Sequence, residues 1–279
     1  MRKQNFAFCL AGLLLIPATL LVNSPTAQAL YRSDDAKEYK IERILTKGNT
    51  DRYNFVFKTK TTSQQKVALT LDMIIRETTQ EITDGVATIA SEFDQAEISF
   101  GEVKQDVSTS FPTSKYKADK TGRVWDFKFE GGAPELQGGT GGNEQTIAII
   151  RTSLYPPKAV KVGESWDILV KTPDPKDKEG KEITVAKGKA SVLGAERIAE
   201  FNALKIKATI DLTLDPTMKT PAKYEGEGLI DIATGKILTL KGTVDGNFGP
   251  LGKAKADISL SLMTGEPKKE GEKKVEGKK

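Results

Sequence analysis

The chain has 279 residues, a formal net charge of +4, one cysteine and no histidine. This composition excludes Ser-His and Cys-His catalysis, histidine-based metal sites and disulfide bonds within the chain. The near balance of basic and acidic residues also argues against a nucleic-acid-binding surface, where a basic stripe dominates affinity. Carboxylates remain as the strong general acid/base candidates.

The first 29 residues have the pattern of a secretory signal peptide. Two basic residues precede an apolar run over 6–22, and Ala27 and Ala29 place small side chains at the −3 and −1 positions before Leu30. The run is short for a membrane span, which needs about 20 apolar residues, and a proline interrupts it. We therefore expect an exported protein, periplasmic or extracellular, that begins at Leu30 and has no transmembrane span.

Alternation of apolar and polar residues recurs in five segments and predicts β-strands with one buried face. The segments lie at 53–58, 67–76, 125–130, 204–215 and 254–262. At about 3.3 Å per residue, the fourth would extend roughly 40 Å. Such long strands favour a strongly curved antiparallel sheet or an open barrel over a sandwich of short strands. The predicted fold class is mainly β.

One segment near the centre of the chain departs from this pattern. Glycine is frequent over 131–142, which predicts a flexible loop, and Asn143 then has the properties of a helix N-cap. A short helix should follow and end before Pro156. Its apolar positions are Ile147, Ile150 and Leu154. Its polar positions between them are Arg151 and Ser153.

This loop and helix divide the exported chain into two β halves, and a tight hairpin turn is predicted at 233–236 in the second. Whether the halves form one sheet or two packed domains is left open. The tail has too few apolar residues to fold and is expected to be disordered. The predicted segments are the signal peptide 1–29, the N-terminal half 30–130, the loop and helix 131–157, the C-terminal half 158–264 and the Lys/Glu tail 265–279.

The two tryptophans lie in similar settings. Lys-x-Gly-x-x-Trp-Asp occurs over 120–126 and again over 161–167, each time at the start of a predicted strand. We interpret Trp125 and Trp166 as core anchors at two strand entries. A paired aromatic site for a ligand is the alternative.

Carboxylates with a possible catalytic role mostly occupy the polar positions of predicted strands, where a charged side chain usually faces solvent. No catalytic residue is assigned from them. They are Asp72, Glu92, Glu97, Glu225, Glu227 and Asp231.

No metal or cofactor site is predicted either. Asp174, Asp177 and Glu179 form an acidic loop, but interspersed lysines would repel a cation and the EF-hand pattern is not met. The glycine-rich loop 131–142 lacks the Gly-Lys-Ser/Thr ending of a phosphate-binding P-loop. We interpret it as a hinge.

The segment from Pro156 to Trp166 reads Pro-Pro-Lys-Ala-Val-Lys-Val-Gly-Glu-Ser-Trp. It resembles a Pro-x-x-x-Val-x-x-Gly-acid-Ser-Trp signature of uncharacterised exported all-β bacterial proteins. The strand at Leu204 and the hairpin over 224–235 fit this resemblance, which covers roughly residues 150–264. More loosely, the layout is similar to the open half-barrels of periplasmic lipoprotein carriers. That resemblance implies acyl chains held between a curved sheet and lid helices.

We therefore expect a non-enzymatic binding module that holds an apolar or lipid-like ligand, or a partner strand, on a curved sheet. A structural or protein-interaction module of the cell envelope is the alternative. A carboxylate-based hydrolase is the remote alternative. The ligand, the partner and the oligomeric state are not specified by the sequence.

Overall fold

The computed structural model describes residues 37–61, 68–131, 141–173, 182–213, 221–247 and 253–264. Several sequence predictions lie outside these residues. They are the cleavage site at Ala27, Ala29 and Leu30, residues 132–140 of the glycine-rich loop interpreted as a hinge, the acidic loop from Asp174 to Glu179, and the tail 265–279.

Within the described residues, twelve strands and one α-helix make up the fold, as the long alternating segments predicted. A single 3-10 turn, Ser108–Ser110, follows the fourth strand. The strands before the helix are β1 Thr50–Thr61, β2 Ala68–Thr83, β3 Val86–Phe100, β4 Val103–Asp106, β5 Thr113–Asp119 and β6 Val124–Glu130. The helix is α1 Gly141–Ser153. The strands after it are β7 Ser165–Pro173, β8 Glu182–Ile198, β9 Phe201–Leu212, β10 Ala222–Asp231, β11 Ile237–Asn247 and β12 Lys253–Leu262.

All twelve strands belong to one antiparallel sheet. Its order is β6-β5-β3-β2-β1-β12-β11-β10-β9-β8-β7, and β4 pairs with β3 beside this path. The two halves of the chain meet where β1 pairs with β12, with Tyr53 opposite Leu262 and Phe57 opposite Ile258. The question left open by the sequence is thereby answered: the halves form one continuous sheet.

The sheet is barrel-shaped and nearly closed, with one unsealed seam. Because β6 and β7 end the strand order, the seam lies between these two edge strands. Helix α1, which connects them in the chain, packs against β6, β7 and β9. The helix therefore lies along the one place where the sheet does not close on itself.

The inner face of the sheet carries a continuous apolar core because side chains in a strand alternate between its two faces. In β2, for example, Leu71, Met73 and Ile75 are buried between more exposed neighbours. In β9 the alternate residues from Leu204 to Leu212 are all buried. The core also includes Ile147 and Ile150 of α1 and Leu154 directly after it, as their helical spacing predicted.

The segment before β1 covers one end of the barrel. Tyr39 forms a two-way backbone bridge with Val160, the amide of Arg43 donates to the carbonyl of Lys120, and the amide of Ile44 donates to the carbonyl of Thr234. These backbone contacts join the segment to three separate loops. The segment therefore holds these loops together at the end of the barrel that contains the C-terminal turn of α1.

One detail of the predicted helix is wrong. It begins at Gly141, so Asn143 lies inside its first turn and is not the cap. The polar positions Arg151 and Ser153 lie inside the fold, because Ser153 is buried and the Arg151 side chain is only 12% exposed. Their polar atoms are satisfied within the fold: Ser153 Oγ donates to the carbonyl of Ile149 at 2.8 Å, and Arg151 forms an ion pair described below.

The predicted alternation in β6 is interrupted by a bulge. Asp126 has a φ of 57°, and the register with β5 shifts between Lys115 and Lys117. Such a bulge exchanges the faces of the residues before and after it. Phe127 consequently stacks on the buried Tyr116, while Trp125 stays half-buried with the Arg123 guanidinium 5.5 Å from its ring centre.

Candidate functional site

A cleft of about 510 Å³ lies along β7, at the β7 side of the seam between β6 and β7. It extends from the β5–β6 turn, at Thr121 and Arg123, past the end of α1, at Thr152, to the far ends of β7 and β8 at Lys171 and Glu182. This volume falls within the usual range of small-molecule sites, about 300–1,000 Å³. The cleft is therefore the candidate functional site.

The inner wall of the cleft is apolar. Trp166 and Ile168 of β7 are buried and belong to the core, and Val170 is partly buried against it. Tyr155 and Pro156 follow α1 and form the adjoining wall. Among the described strands β7 pairs only with β8, so its inner face borders the seam; Val170 stays partly exposed there, while Trp166 and Ile168 are buried.

The rim of the cleft is charged. Arg123 and Glu182 lie at its two ends, and Asp167 and Lys171 project from the exposed phase of β7. A site with an apolar wall and a polar rim suits an elongated molecule with apolar and polar parts. Among the described residues the rim carries two basic and two acidic side chains, a balance that does not favour one sign of charge.

A buried ionic cluster holds α1 in place at the same end of the barrel. Glu77 of β2 accepts hydrogen bonds from Arg151 Nη1 at 2.5 Å and from Arg151 Nη2 at 3.1 Å. Tyr116 Oη donates to the same carboxylate at 2.8 Å, and Arg43 Nη2 lies 3.5 Å from it. The Arg151 guanidinium also stacks 4.7 Å from the ring centre of Tyr53.

The surroundings of Glu77 shift its protonation strongly. Burial alone would raise the pKa of this carboxyl, but the charges of Arg151 and Arg43 and the hydrogen bonds from Arg151 and Tyr116 outweigh it and lower the pKa to about 2. Burial raises the pKa of Tyr116, and the neighbouring Glu77 charge adds to the effect. Glu77 is therefore ionised and Tyr116 neutral at physiological pH.

The space next to the cluster is too small for a ligand. The cavity bounded by Arg43, Tyr116, Arg151 and Tyr155 measures about 10 Å³, which is room for about one water molecule. The charged groups of the cluster already pair with one another across the barrel. The cluster therefore holds α1 against the barrel wall at β2. The cleft beside β7 is the larger open site.

The carboxylates considered from the sequence are not brought together in the cleft. Asp72 is exposed, and Glu92 and Glu97 pair with Arg76 and Lys104. Glu225 and Glu227 pair with Lys207 at 3.4 Å and Lys205 at 2.8 Å.

Asp231 is buried in the β10–β11 turn. Its carboxylate accepts from the Thr234 amide at 3.0 Å and from the Thr234 hydroxyl at 2.6 Å. This side chain therefore shapes the hairpin predicted at 233–236, as an acidic residue often does in a turn.

Sequence reasoning missed Glu77, Arg151 and Arg43. A signal was present for the first, since Glu77 continues the inward phase of β2 after Leu71, Met73 and Ile75. A charge in that phase indicates a buried partner. Trp166, in contrast, is buried in the core as the sequence predicted, and Trp125 is not.

No protein-family model matches the sequence, and no curated protein is similar to it. A solved structure described as lipid-protein interactions in lipovitellin aligns with 79% of this chain at 12% identity, with a TM-score of 0.42. The chain spans 26% of the length of that structure. No functional argument rests on a likeness of this strength.

The part of the chain that the structure describes contains no helix long and apolar enough to cross a bilayer.

Proposed function

We propose that this protein is an exported, non-enzymatic binding module that holds an apolar or lipid-like ligand in the cleft beside β7. The observation that carries the proposal is the apolar inner wall beside the seam, where Trp166, Ile168 and Val170 line a cleft of about 510 Å³. Val170 is partly exposed in this cleft, and apolar surface in a concave site gains free energy when a ligand removes it from water. The export part of the proposal rests on the signal-peptide pattern over 1–29.

The shape of the site supports an elongated ligand. The cleft follows β7 from Trp166 to Lys171, and these residues span about 20 Å at 3.3 Å per residue. Apolar side chains recur along the inner face at every second position, at Trp166, Ile168 and Val170. An alkyl chain lying along the strand would contact each of them, and its polar end would meet the charged rim.

The absence of an enzymatic role is part of the same proposal. Among the described residues two acidic side chains reach the rim of the cleft, Asp167 near the start of β7 and Glu182 at the start of β8. They come from different strands and are not opposite each other, since Glu182 is paired with Pro173 and Asp167 with Lys189. Carboxylates separated in this way do not suit the joint acid and base roles of a hydrolase.

The two tryptophans allow a direct test. Trp166 lines the cleft, whereas Trp125 lies in β6 outside the residues that line it. The W125F variant therefore reports on the cleft alone, and W166F is its matched control. Bromine atoms quench tryptophan fluorescence at contact, so we would titrate both variants with dibromostearate and with unbrominated stearate.

We expect dibromostearate to quench W125F and to leave W166F nearly unchanged, with stearate quenching neither variant. Equal quenching of the two variants, or none in either, contradicts the proposed site. Urea unfolding of both variants checks that the W166F core remains folded.

Charge placed on the inner wall tests the same site without tryptophan. Val170→Asp should weaken stearate binding by about ten-fold or more, because the lost apolar contact and the buried charge each cost binding free energy. Leu193→Asp is the matched control, since Leu193 is an exposed apolar residue of β8 that does not line the cleft. Equal affinity in the two variants contradicts the proposal.

A protein-interaction module of the cell envelope is the second candidate, and the unpaired edges of β6 and β7 favour it. Native mass spectrometry of protein purified from its own envelope separates the two. An adduct of lipid-like mass supports the ligand-binding role. A clean apo mass, together with no quenching of Trp166, supports the interaction role.

A further inference from the structure

Strand β7 is an edge strand with one open side. It pairs with β8 on one side, and within the described residues no other strand pairs with it. Space beside it is open, because every residue from Trp166 to Lys171 lines the cleft. An unpaired edge presents free backbone donors and acceptors to any strand that reaches it.

The outer face of β7 carries a short pattern with internal symmetry. The strand runs from Ser165 to Pro173, so its central residue is Leu169, and this side chain is 62% exposed. Two positions before it stands Asp167, and two positions after it stands Lys171. All three are exposed, in alternation with the inward Trp166 and Ile168.

Antiparallel pairing of two such strands about Leu169 makes this pattern complementary to itself. Leu169 then lies opposite Leu169 of the second copy, and Asp167 lies opposite Lys171 of the second copy. The twofold axis repeats the charge pair on the other side of the centre. Opposite charges and apolar side chains directly across an antiparallel pair both stabilise it.

The charges of β7 are available for this pairing. Within the described residues neither Asp167 nor Lys171 forms an ion pair, although Lys189 of β8 stands opposite Asp167 in the register. The other edge strand differs, since Asp126 of β6 already lies within 3.6 Å of Lys117 and 3.8 Å of Lys128. The geometry points to β7 rather than β6 as the edge that meets a partner.

We propose that the partner of β7 is a second copy of this chain, joined edge to edge through an antiparallel β7–β7 pair centred on Leu169. The two barrels then share one continuous sheet through a closed, twofold-symmetric interface. The partner strand would take the space beside the edge of β7 that the proposed ligand also uses, so the two occupants would exclude each other. A single strand pair buries less area than a tight dimer, so the complex should dissociate on dilution.

Reversing the charges at positions 167 and 171, singly and together, tests this register. D167K alone and K171D alone each place like charges opposite one another in the homodimer, and both should be monomeric when light scattering follows size-exclusion chromatography. In an equimolar mixture, one chain is basic at both positions and the other is acidic at both, so the mixed dimer regains two opposite-charge pairs. The mixture and the double variant D167K/K171D should therefore recover the dimer mass of the wild type.

Three outcomes overturn the proposal: a wild-type protein that stays monomeric at the highest concentration, a dimer that survives D167K, or a mixture that stays monomeric. K128D reverses a charge on β6 and serves as the control, so loss of the dimer in this variant also overturns it. Far-UV circular dichroism confirms that each variant is folded. The light-scattering experiment contains no fatty acid. A result that contradicts the dimer therefore leaves the ligand proposal unaffected.

Discussion

Glu77 and Arg151 join the wall of the barrel to the last turn of its only described α-helix through two hydrogen bonds, at 2.5 and 3.1 Å. Glu77 is buried and Arg151 nearly so, and Arg43 and Tyr116 complete the set of groups around the carboxylate. The pair fixes the end of α1 from which Thr152 and Tyr155 reach the cleft. The Glu77–Arg151 pair thus stabilises the position of residues that line the candidate site.

Removal of the Glu77 carboxylate should destabilise the protein strongly. Glu77→Ala leaves two guanidinium groups in the interior without their shared counter-charge, and breaking a buried ion pair in this way costs roughly 3–5 kcal/mol. Urea unfolding followed by circular dichroism measures the change. Glu97→Ala is the comparison, since the Glu97–Lys104 pair is exposed and its loss should cost about 0–1 kcal/mol. Similar losses in the two variants would contradict the role of the buried cluster.

The same carboxylate should make stability depend on acid pH. The pKa of Glu77 is about 2 in the folded protein and 4.5 ordinarily, so the folded state binds fewer protons between these values. The contribution is complete above pH 4.5 and disappears as the pH falls toward 2; it amounts to about 3 kcal/mol. The difference in unfolding free energy between wild type and Glu77→Gln should therefore shrink over this range. A constant difference would contradict the prediction.

Alanine substitutions at two turn glycines distinguish the cost of backbone strain from the cost of a steric clash. Gly122 and Gly85 have φ values of 77° and 78°, which disfavour any side chain. A methyl group at Gly122 would overlap the ring of Tyr155, whereas at Gly85 nothing lies within 4 Å. Gly85→Ala should cost about 1–2 kcal/mol from strain alone, and Gly122→Ala a further 1–3 kcal/mol or so from overpacking. Thermal unfolding of both variants checks the order, which equal losses would contradict.

Two buried tyrosines should respond oppositely to loss of the hydroxyl. Tyr155 Oη donates to the carbonyl of Gly235 at 2.6 Å, so Tyr155→Phe leaves a buried acceptor unpaired and should cost about 1–3 kcal/mol. The hydroxyl of Tyr224 is buried and has no hydrogen-bond partner among the described residues. Tyr224→Phe should therefore be neutral or stabilising in urea unfolding. A larger loss in Tyr224→Phe than in Tyr155→Phe would contradict this assignment.

Much of the fold follows from residue alternation. The segments around Tyr53, Leu204 and Ala256 contain one apolar side chain at every second position, and each is a strand whose apolar side chains are buried. The helix was predictable for a similar reason, since Ile147, Ile150 and Leu154 repeat at helical spacing. Local patterns of this kind state which face is buried, but not which strand is the neighbour.

The candidate site was less predictable because it depends on distant contacts. Arg151 alternates with apolar residues in a way that suits a solvent-facing position, and only the carboxylate on β2 turns it inward. The bulge at Asp126, which places Trp125 outside the core, also has no signal in the alternation of β6. The apolar wall along Trp166 borders a cleft because β7 is last in the order of the described strands.

The β1–β12 pairing has a consequence for how the protein acquires its structure. Tyr53 meets Leu262 about two hundred residues later, although each half of the barrel is built mostly from strands that adjoin in sequence. Closing so long a loop costs chain entropy before any contact repays it, and such contacts slow folding. A ribosome completes β12 last, yet β12 occupies the middle of the sheet. The two hairpin arrays can form early, but the barrel must wait for nearly the whole chain.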